Sequence, residues 1–245
     1  MRTIKLTIEY EGSLFVGWQR QKNGIAVQEV IENALEKMTG EEIKVIGAGR
    51  TDSGVHALGQ VASFSTNFPH DITKLRDGLN SILPETVAVI KIEEVQPSFH
   101  ALRSSKGKHY RYKMFVSPIK RPLYWGRAWR IKYDLDLDLM SKACKLFPGV
   151  HDFKAFCAAK ADVKTTVREI FSIQLAVSHE GLICLEIKGK GFLRQMVRRI
   201  TGALVEVGRG YRNISWIEDL IEKGQRAEAG ITAPPYGLYL VEVYY

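Results

Sequence analysis

The chain has 245 residues, 45% hydrophobic and 25% charged, which is the balance of an ordinary globular protein with room for one large packed core or two small ones. Its 35 Lys and Arg outnumber its 27 Asp and Glu, for a formal charge of +8; this suits a polyanionic partner, although a solvated basic surface would read the same way. Three widely spaced cysteines, Cys144, Cys157 and Cys184, argue against a disulfide framework and for a reducing compartment, the cytoplasm, and no run approaches the roughly 20 apolar residues needed to cross a bilayer.

Taken in chain order, Met1 to Tyr10 alternates apolar and polar residues, which predicts a strand and lacks the continuous apolar run of a signal peptide. Val27, Val30, Ile31, Ala34, Leu35 and Met38 recur at helical spacing, and Gly40 stands where the helix would stop. A short strand at Lys44 to Ile46 leads into a glycine-rich loop, and a longer strand resumes near Gln60 to Phe64. Asp71 is placed to cap a second helix carrying Ile72, Leu75, Leu79 and Ile82, which Pro84 closes before a strand at Val87 to Ile92. The second half predicts a strand at His109 to Val116, a helix at Asp136 to Phe147, and strands at Val167 to Val177 and Leu182 to Lys188. A helix then carries Leu193, Val197, Ile200 and Leu204 up to Gly208. After it come a short helix capped by Ser215, with Ile217, Leu220 and Ile221, and a final strand at Leu238 to Tyr244. Element order thus suggests an α+β protein of two ferredoxin-like βαββαβ halves with mainly antiparallel sheets and helices on one side of each. The boundary falls near residues 96–105, giving halves of 1–100 and 101–245 with an active-site cleft between them.

The loop Gly47-Ala48-Gly49-Arg50-Thr51-Asp52-Ser53-Gly54 invites a phosphate-cradle reading, but Asp52 stands where a dinucleotide fingerprint needs its third glycine, and no helical pattern opens directly after it. The glycines fit better as a tight path presenting Arg50 and Asp52 together. An aspartate in such a loop can equally cap its own turn. The six histidines and three cysteines never cluster at ligand spacing, so no metal is expected, and the zinc-deaminase signature is absent. In Lys106 to Lys113 basic and aromatic residues interleave: a strand would send Tyr110 and Tyr112 to one face and Arg111 and Lys113 to the other. That suits base stacking beside phosphate contacts, and it equally suits an edge strand with its tyrosines in the core. Arg194, Arg198 and Arg199 fall off the apolar stripe of the penultimate long helix, with Arg194 and Arg198 one turn apart, as on any solvated basic face.

At this point the sequence resembles the bacterial tRNA pseudouridine synthase A family. The shared stretches run in order: Gly49-Arg50-Thr51-Asp52-Ser53-Gly54-Val55-His56-Ala57, Asn80 with Leu83-Pro84, Phe99-His100-Ala101, Tyr110-Arg111-Tyr112, His151-Asp152-Phe153, Phe192-Leu193 with Met196-Val197-Arg198, and Gly237-Leu238 with Leu240. One position departs: Leu102 stands where similar sequences place arginine, and Arg103 follows it.

The resemblance implies isomerisation of uridine to pseudouridine at positions 38, 39 and 40 of the tRNA anticodon stem-loop, in which uracil is detached from its ribose, rotated and rejoined through carbon. A carboxylate beside the anomeric carbon can trap the positive charge that develops there, so Asp52 is the expected nucleophile, with Arg198 or Arg50 as the cation that orients it. Tyr110 matches the base-stacking tyrosine, Leu238 an apolar wall, and Arg194 and His56 further substrate contacts, with the uridine flipped out of its stack. The reaction needs no cofactor, and a homodimer holding tRNA is implied. A non-catalytic RNA-binding protein of duplicated RRM-like architecture would explain the charge and the tyrosines equally well, but gives no reason for Arg50-Thr51-Asp52.

Overall fold

A computed structural model describes residues 1–69, 71–159, 163–224 and 230–245, so His70 lies outside the described residues. Ten strands and five α-helices run through them, and all strand pairings within each of two compact units are antiparallel except two short parallel ones. The units comprise residues 1–106 with 239–245, and residues 107–238.

In the first unit, β1 (Arg2–Tyr10) lies between β4 (Val87–Val95) and β3 (His56–Thr66), antiparallel to both. The predicted alternation in β1 is realised: Ile4, Leu6 and Ile8 are fully buried, and each contributes about 1.5–3 kcal/mol of transfer free energy. On β3's far edge sit β2 (Ile46–Gly47), antiparallel and only two residues long, and β10 (Leu238–Tyr244), parallel through Tyr239 to His56 and Leu240 to Ala57. Two helices complete the unit. α1 (Val27–Thr39) buries Val27, Ile31, Ala34 and Leu35 and closes on Gly40, whose N–H reaches the Glu36 carbonyl. α2 (Ile72–Ile82) buries Leu75 and Leu79 and is capped as expected by Asp71, whose Oδ1 accepts from Thr73 N at 2.7 Å. Its Ile82 is 38% exposed, although Leu79 in the same turn and Leu83 after it are buried.

The second unit is built on β5 (Gly107–Val116), β9 (Ile183–Gly189), β8 (Val167–Val177) and β7 (Gly149–Asp152), paired in that order and antiparallel; β6 (Trp129–Ile131) adds a short parallel pairing to β5. Its core gathers Tyr112, Met114, Leu185 and Ile187 from the strands with Phe147, Phe153 and Phe156. α3 (Leu137–Cys144) is N-capped by Asp136 and ends one turn earlier than the periodicity suggests, since Lys145 to Phe147 continue only as turns.

The central helix is α4 (Met196–Gly208), buried from Ile200 to Gly208 without interruption. Two sequence expectations are corrected here. α4 begins at Met196 because Gln195 adopts a left-handed conformation (φ 63°), so Leu193 packs from the preceding loop and Arg194 stands off the helix instead of one turn behind Arg198. α5 (Ile214–Lys223) is capped by Asn213, whose Oδ1 accepts from Trp216 N at 3.0 Å; Asn caps as well as Ser, and Ser215 falls inside the first turn. None of the helices among the described residues is long and apolar enough to cross a membrane.

Candidate active site

The aspartate loop is framed by the segment that leads from β1 into α1. Tyr10, at the end of β1, is buried and its hydroxyl shares a 2.8 Å hydrogen bond with Thr51 Oγ1. Burial raises the phenol's pKa, against the pull of its bonds to Thr51 and Gln60, so it stays protonated. Trp18, 2% exposed, donates its backbone N–H to the Thr51 carbonyl at 3.2 Å. Gly17 makes that approach possible: its φ of 108° belongs to glycine, and a Cβ there would stand 2.5 Å from the same Thr51 oxygen. Phe15's carbonyl accepts from Ser53 Oγ at 3.2 Å and from Gly54 N at 3.4 Å. Gln60 on β3 donates to the Gly49 carbonyl at 2.9 Å.

The frame is tied to α1 in turn. Ala26, the residue before the helix, offers no capping side chain, and the first N–H groups, of Val27 and Gln28, donate to the carbonyls of Gly17 and Trp18 instead. Residues on both sides of Asp52 are therefore held by backbone contacts, and Asp52 itself is half-buried. Its carbonyl accepts from Val55 N at 3.2 Å, which closes the turn.

His56 begins β3 and is 3% exposed. Its Nδ1 accepts from the Gly12 N–H at 3.0 Å, and its ring stacks on Tyr239 at 4.7 Å between centroids. A nitrogen that accepts from an amide carries no proton, so the proton sits on Nε2. Glu11 Oε1 lies 3.4 Å from the same Nδ1; that carboxylate is instead engaged by Ser13, through N–H and Oγ. His56 thus braces the loop from below. Arg50 is exposed and meets no carboxylate among the described residues.

In the second unit the expected alternation of β5 holds: Tyr110 and Tyr112 are buried, while Arg111 and Lys113 are half-exposed on the other face. The two tyrosines differ. Tyr112 is fully buried with its hydroxyl donating to the Pro234 carbonyl at 2.7 Å, a core residue. Tyr110 keeps 7% of its surface and meets Phe192 edge-on at 5.1 Å. On the opposite face His109 and Arg111 both hydrogen-bond Glu186. Burial alone would raise the Glu186 carboxyl's pKa, but these bonds outweigh it and hold the group below the usual carboxylate range. Arg198, in the first turn of α4, donates Nε to the Ala233 carbonyl at 2.8 Å, and Ala233 N returns a bond to the Arg198 carbonyl at 3.1 Å. That reciprocal pair fixes both the guanidinium and the stretch leading to Leu238, which is 6% exposed. Arg194 is exposed, with its carbonyl receiving Ala158 N at 3.0 Å. No group of three or more His, Cys, Asp or Glu arranged to hold a metal occurs among the described residues.

The framing residues Tyr10, Gly17, Trp18 and Gln60 were not singled out from sequence. A tryptophan directly after a glycine, in the polar stretch Gly17-Trp18-Gln19-Arg20, was the available signal.

The family model for tRNA pseudouridine synthase matches residues 6–102 and 143–245. Proteins named tRNA pseudouridine synthase A are similar over the whole chain: that of Citrifermentans bemidjiense is 46% identical, covering 100% of this chain and 98% of its own. Those of Geotalea uraniireducens and Thermoanaerobacter pseudethanolicus are 45% and 42% identical, each covering 100% of both chains. Among solved structures, a chain of the H/ACA RNP bound to a substrate RNA containing 2'-deoxyuridine aligns with a TM-score of 0.39 at 10% identity, over 96% of this chain and 59% of that one. The family model and the full-length relatives define an enzyme, an isomerase of the pseudouridine synthase class, and set aside the non-catalytic reading. More particularly, the chain belongs to the tRNA pseudouridine synthase family.

Proposed function

We propose that this isomerase acts on uridines 38, 39 and 40 of the tRNA anticodon stem-loop, with Asp52 as the nucleophile on a flipped-out uridine. The observation that carries the reading is the frame around Asp52. Thr51 and Ser53 are fixed on either side by Tyr10, Trp18 and Phe15, so the loop presents one half-buried carboxylate with little freedom left to lose. Asp52 attacks the anomeric carbon as the bond to N1 breaks and its electron pair leaves with uracil. After rotation C5 attacks the anomeric carbon and displaces the carboxylate; the C5 proton passes to water and N1 takes one up, so the product is an isomer and Asp52 is released unchanged.

In this reading the second unit supplies Tyr110 to stack the extruded base, Leu238 as an apolar wall, Arg198 to orient Asp52 and Arg194 to meet the RNA, with Arg50 and His56 completing the contacts on the loop's side. Each of the two units is then a variant of the ferredoxin-like βαββαβ unit. The antiparallel order β4-β1-β3-β2 with crossing helices α1 and α2 supports that for the first. The enzyme works in the cytoplasm as a homodimer and without a cofactor, since an isomerisation has no group donor and no net oxidation.

Asp52→Asn tests the reading, because it keeps the shape and removes the charge. Tritium release from C5-labelled uridine in undermodified tRNA should fall about 10⁴-fold or more while tRNA affinity stays within about twofold. Retained turnover would remove Asp52 from the mechanism.

A further inference from the structure

We infer that Lys108 is a further substrate-binding residue, a cation that holds the phosphodiester beside the uridine stacked on Tyr110; the inference rests on the function proposed above. Alternation along β5 puts Lys108 on the face of Tyr110 and Tyr112, away from His109, Arg111 and Lys113. The strand pairing confirms the face independently. Lys108 is registered directly on Gly189 of β9, and opposed residues project to the same side. A Cβ at Gly189 would meet the Phe192 ring at 3.0 Å, so that ring lies over the side from which Lys108 projects. Phe192 is also the edge-on partner of Tyr110. One sheet face thus carries an aromatic pair with a lysine about 6.8 Å along the strand, the scale of one extended nucleotide.

Lys108 is only 9% exposed, yet no hydrogen bond or ion pair engages its ammonium among the described residues. The contrast with its neighbours is direct, because His109 and Arg111 share Glu186. The Lys108 nitrogen is not among the sealed polar atoms without partners, so its stem is covered while its tip still reaches solvent. Burial pushes its pKa below the usual lysine range, the mark of a cation for which the fold supplies no anion. A nucleic acid brings that anion at a fixed distance from every base, and a lysine meets a phosphate as a point charge.

The test is a cycle between the side chain and the substrate charge. Wild type, Lys108→Met and Lys108→Arg are compared on stem-loop RNAs carrying one neutral methylphosphonate at each linkage flanking the target uridine. Lys108→Met should weaken binding about 10-fold and reduce the slope of log affinity against log salt by about 0.7–0.9, while Lys108→Arg keeps most of both. At one linkage the methylphosphonate should weaken wild type comparably and add nothing to Lys108→Met. Removing this partly desolvated cation should also raise the Tm of Lys108→Met by about 2–4 °C. Losses that multiply at every linkage, an unchanged salt slope, or a fall in Tm would overturn the assignment and leave Lys108 a structural residue. Wild-type tritium release distinguishes the failures. If wild type releases none, the proposed function fails and Lys108 falls with it; if wild type turns over and the losses still multiply, Lys108 alone falls.

Discussion

Asp52, the proposed nucleophile, and Tyr10 show how a candidate side chain and its support differ. The carboxylate was legible in the sequence because glycines at 47, 49 and 54 mark a tight loop, and few roles other than self-capping place an aspartate there. The support was not legible, since the Tyr10–Thr51 and Trp18–Thr51 contacts join residues more than thirty positions apart in the chain. Tyr10→Phe should measure it: Thr51 loses a buried partner, which costs about 1–2 kcal/mol in denaturant unfolding, and kcat should fall more than KM rises because the loop loosens around Asp52. A change confined to stability would mean that the hydroxyl serves only the core. For Tyr110, removing the ring in Tyr110→Leu should cost about 10- to 100-fold in kcat, the scale of one stacked base, with a smaller loss in tRNA affinity; equal losses would make it an ordinary contact. Tyr110 and Tyr112 looked alike in sequence; in the structure Tyr112 is fully buried and donates to the Pro234 carbonyl, whereas Tyr110 keeps a little exposed surface and meets Phe192 edge-on.

Helix α4 and the β5–β9 pair carry the second unit's candidate residues, and each can be challenged. Gly202 lies under the backbone of Ile231, where a Cβ would overlap the carbonyl. Gly202→Ala should therefore lift the stretch that binds Arg198 through Ala233, lowering Tm by more than about 4 °C and activity with it; a well-folded, fully active variant would show that the stretch is not needed. Across β5 and β9, the depressed Glu186 carboxyl stabilises the fold above the unfolded glutamate pKa of about 4.3, and that contribution is lost as the pH falls through the lower folded value. Glu186→Gln should flatten the acid limb of stability below the unfolded glutamate pKa of about 4.3, as followed by urea midpoints. Strong periodicity made α1, α2, β8 and β10 readable to within a residue or two. The start of α4 was not, because one left-handed glutamine overrides an apolar pattern that continues through it, and β6 and β7 are too short to carry a period.

The formal charge of +8 belongs to the whole molecule, and its meaning is tested there. If the basic surface meets RNA, tRNA affinity should fall steeply with salt, with about 0.7–0.9 in the slope for each phosphate neutralised; a flat response would leave the charge as mere solvation.

The return of β10 to the first unit has a consequence in time. Tyr239 and Leu240 pair with His56 and Ala57, immediately after the aspartate loop, and the entire second unit is translated between them. A ribosome-bound chain cannot finish the scaffold of the aspartate loop until those later residues emerge. Nascent chains halted before Tyr239 should therefore protect the second unit from protease while the residues around Asp52 remain open to cutting, so that the loop's scaffold is completed only after the whole second unit has been made.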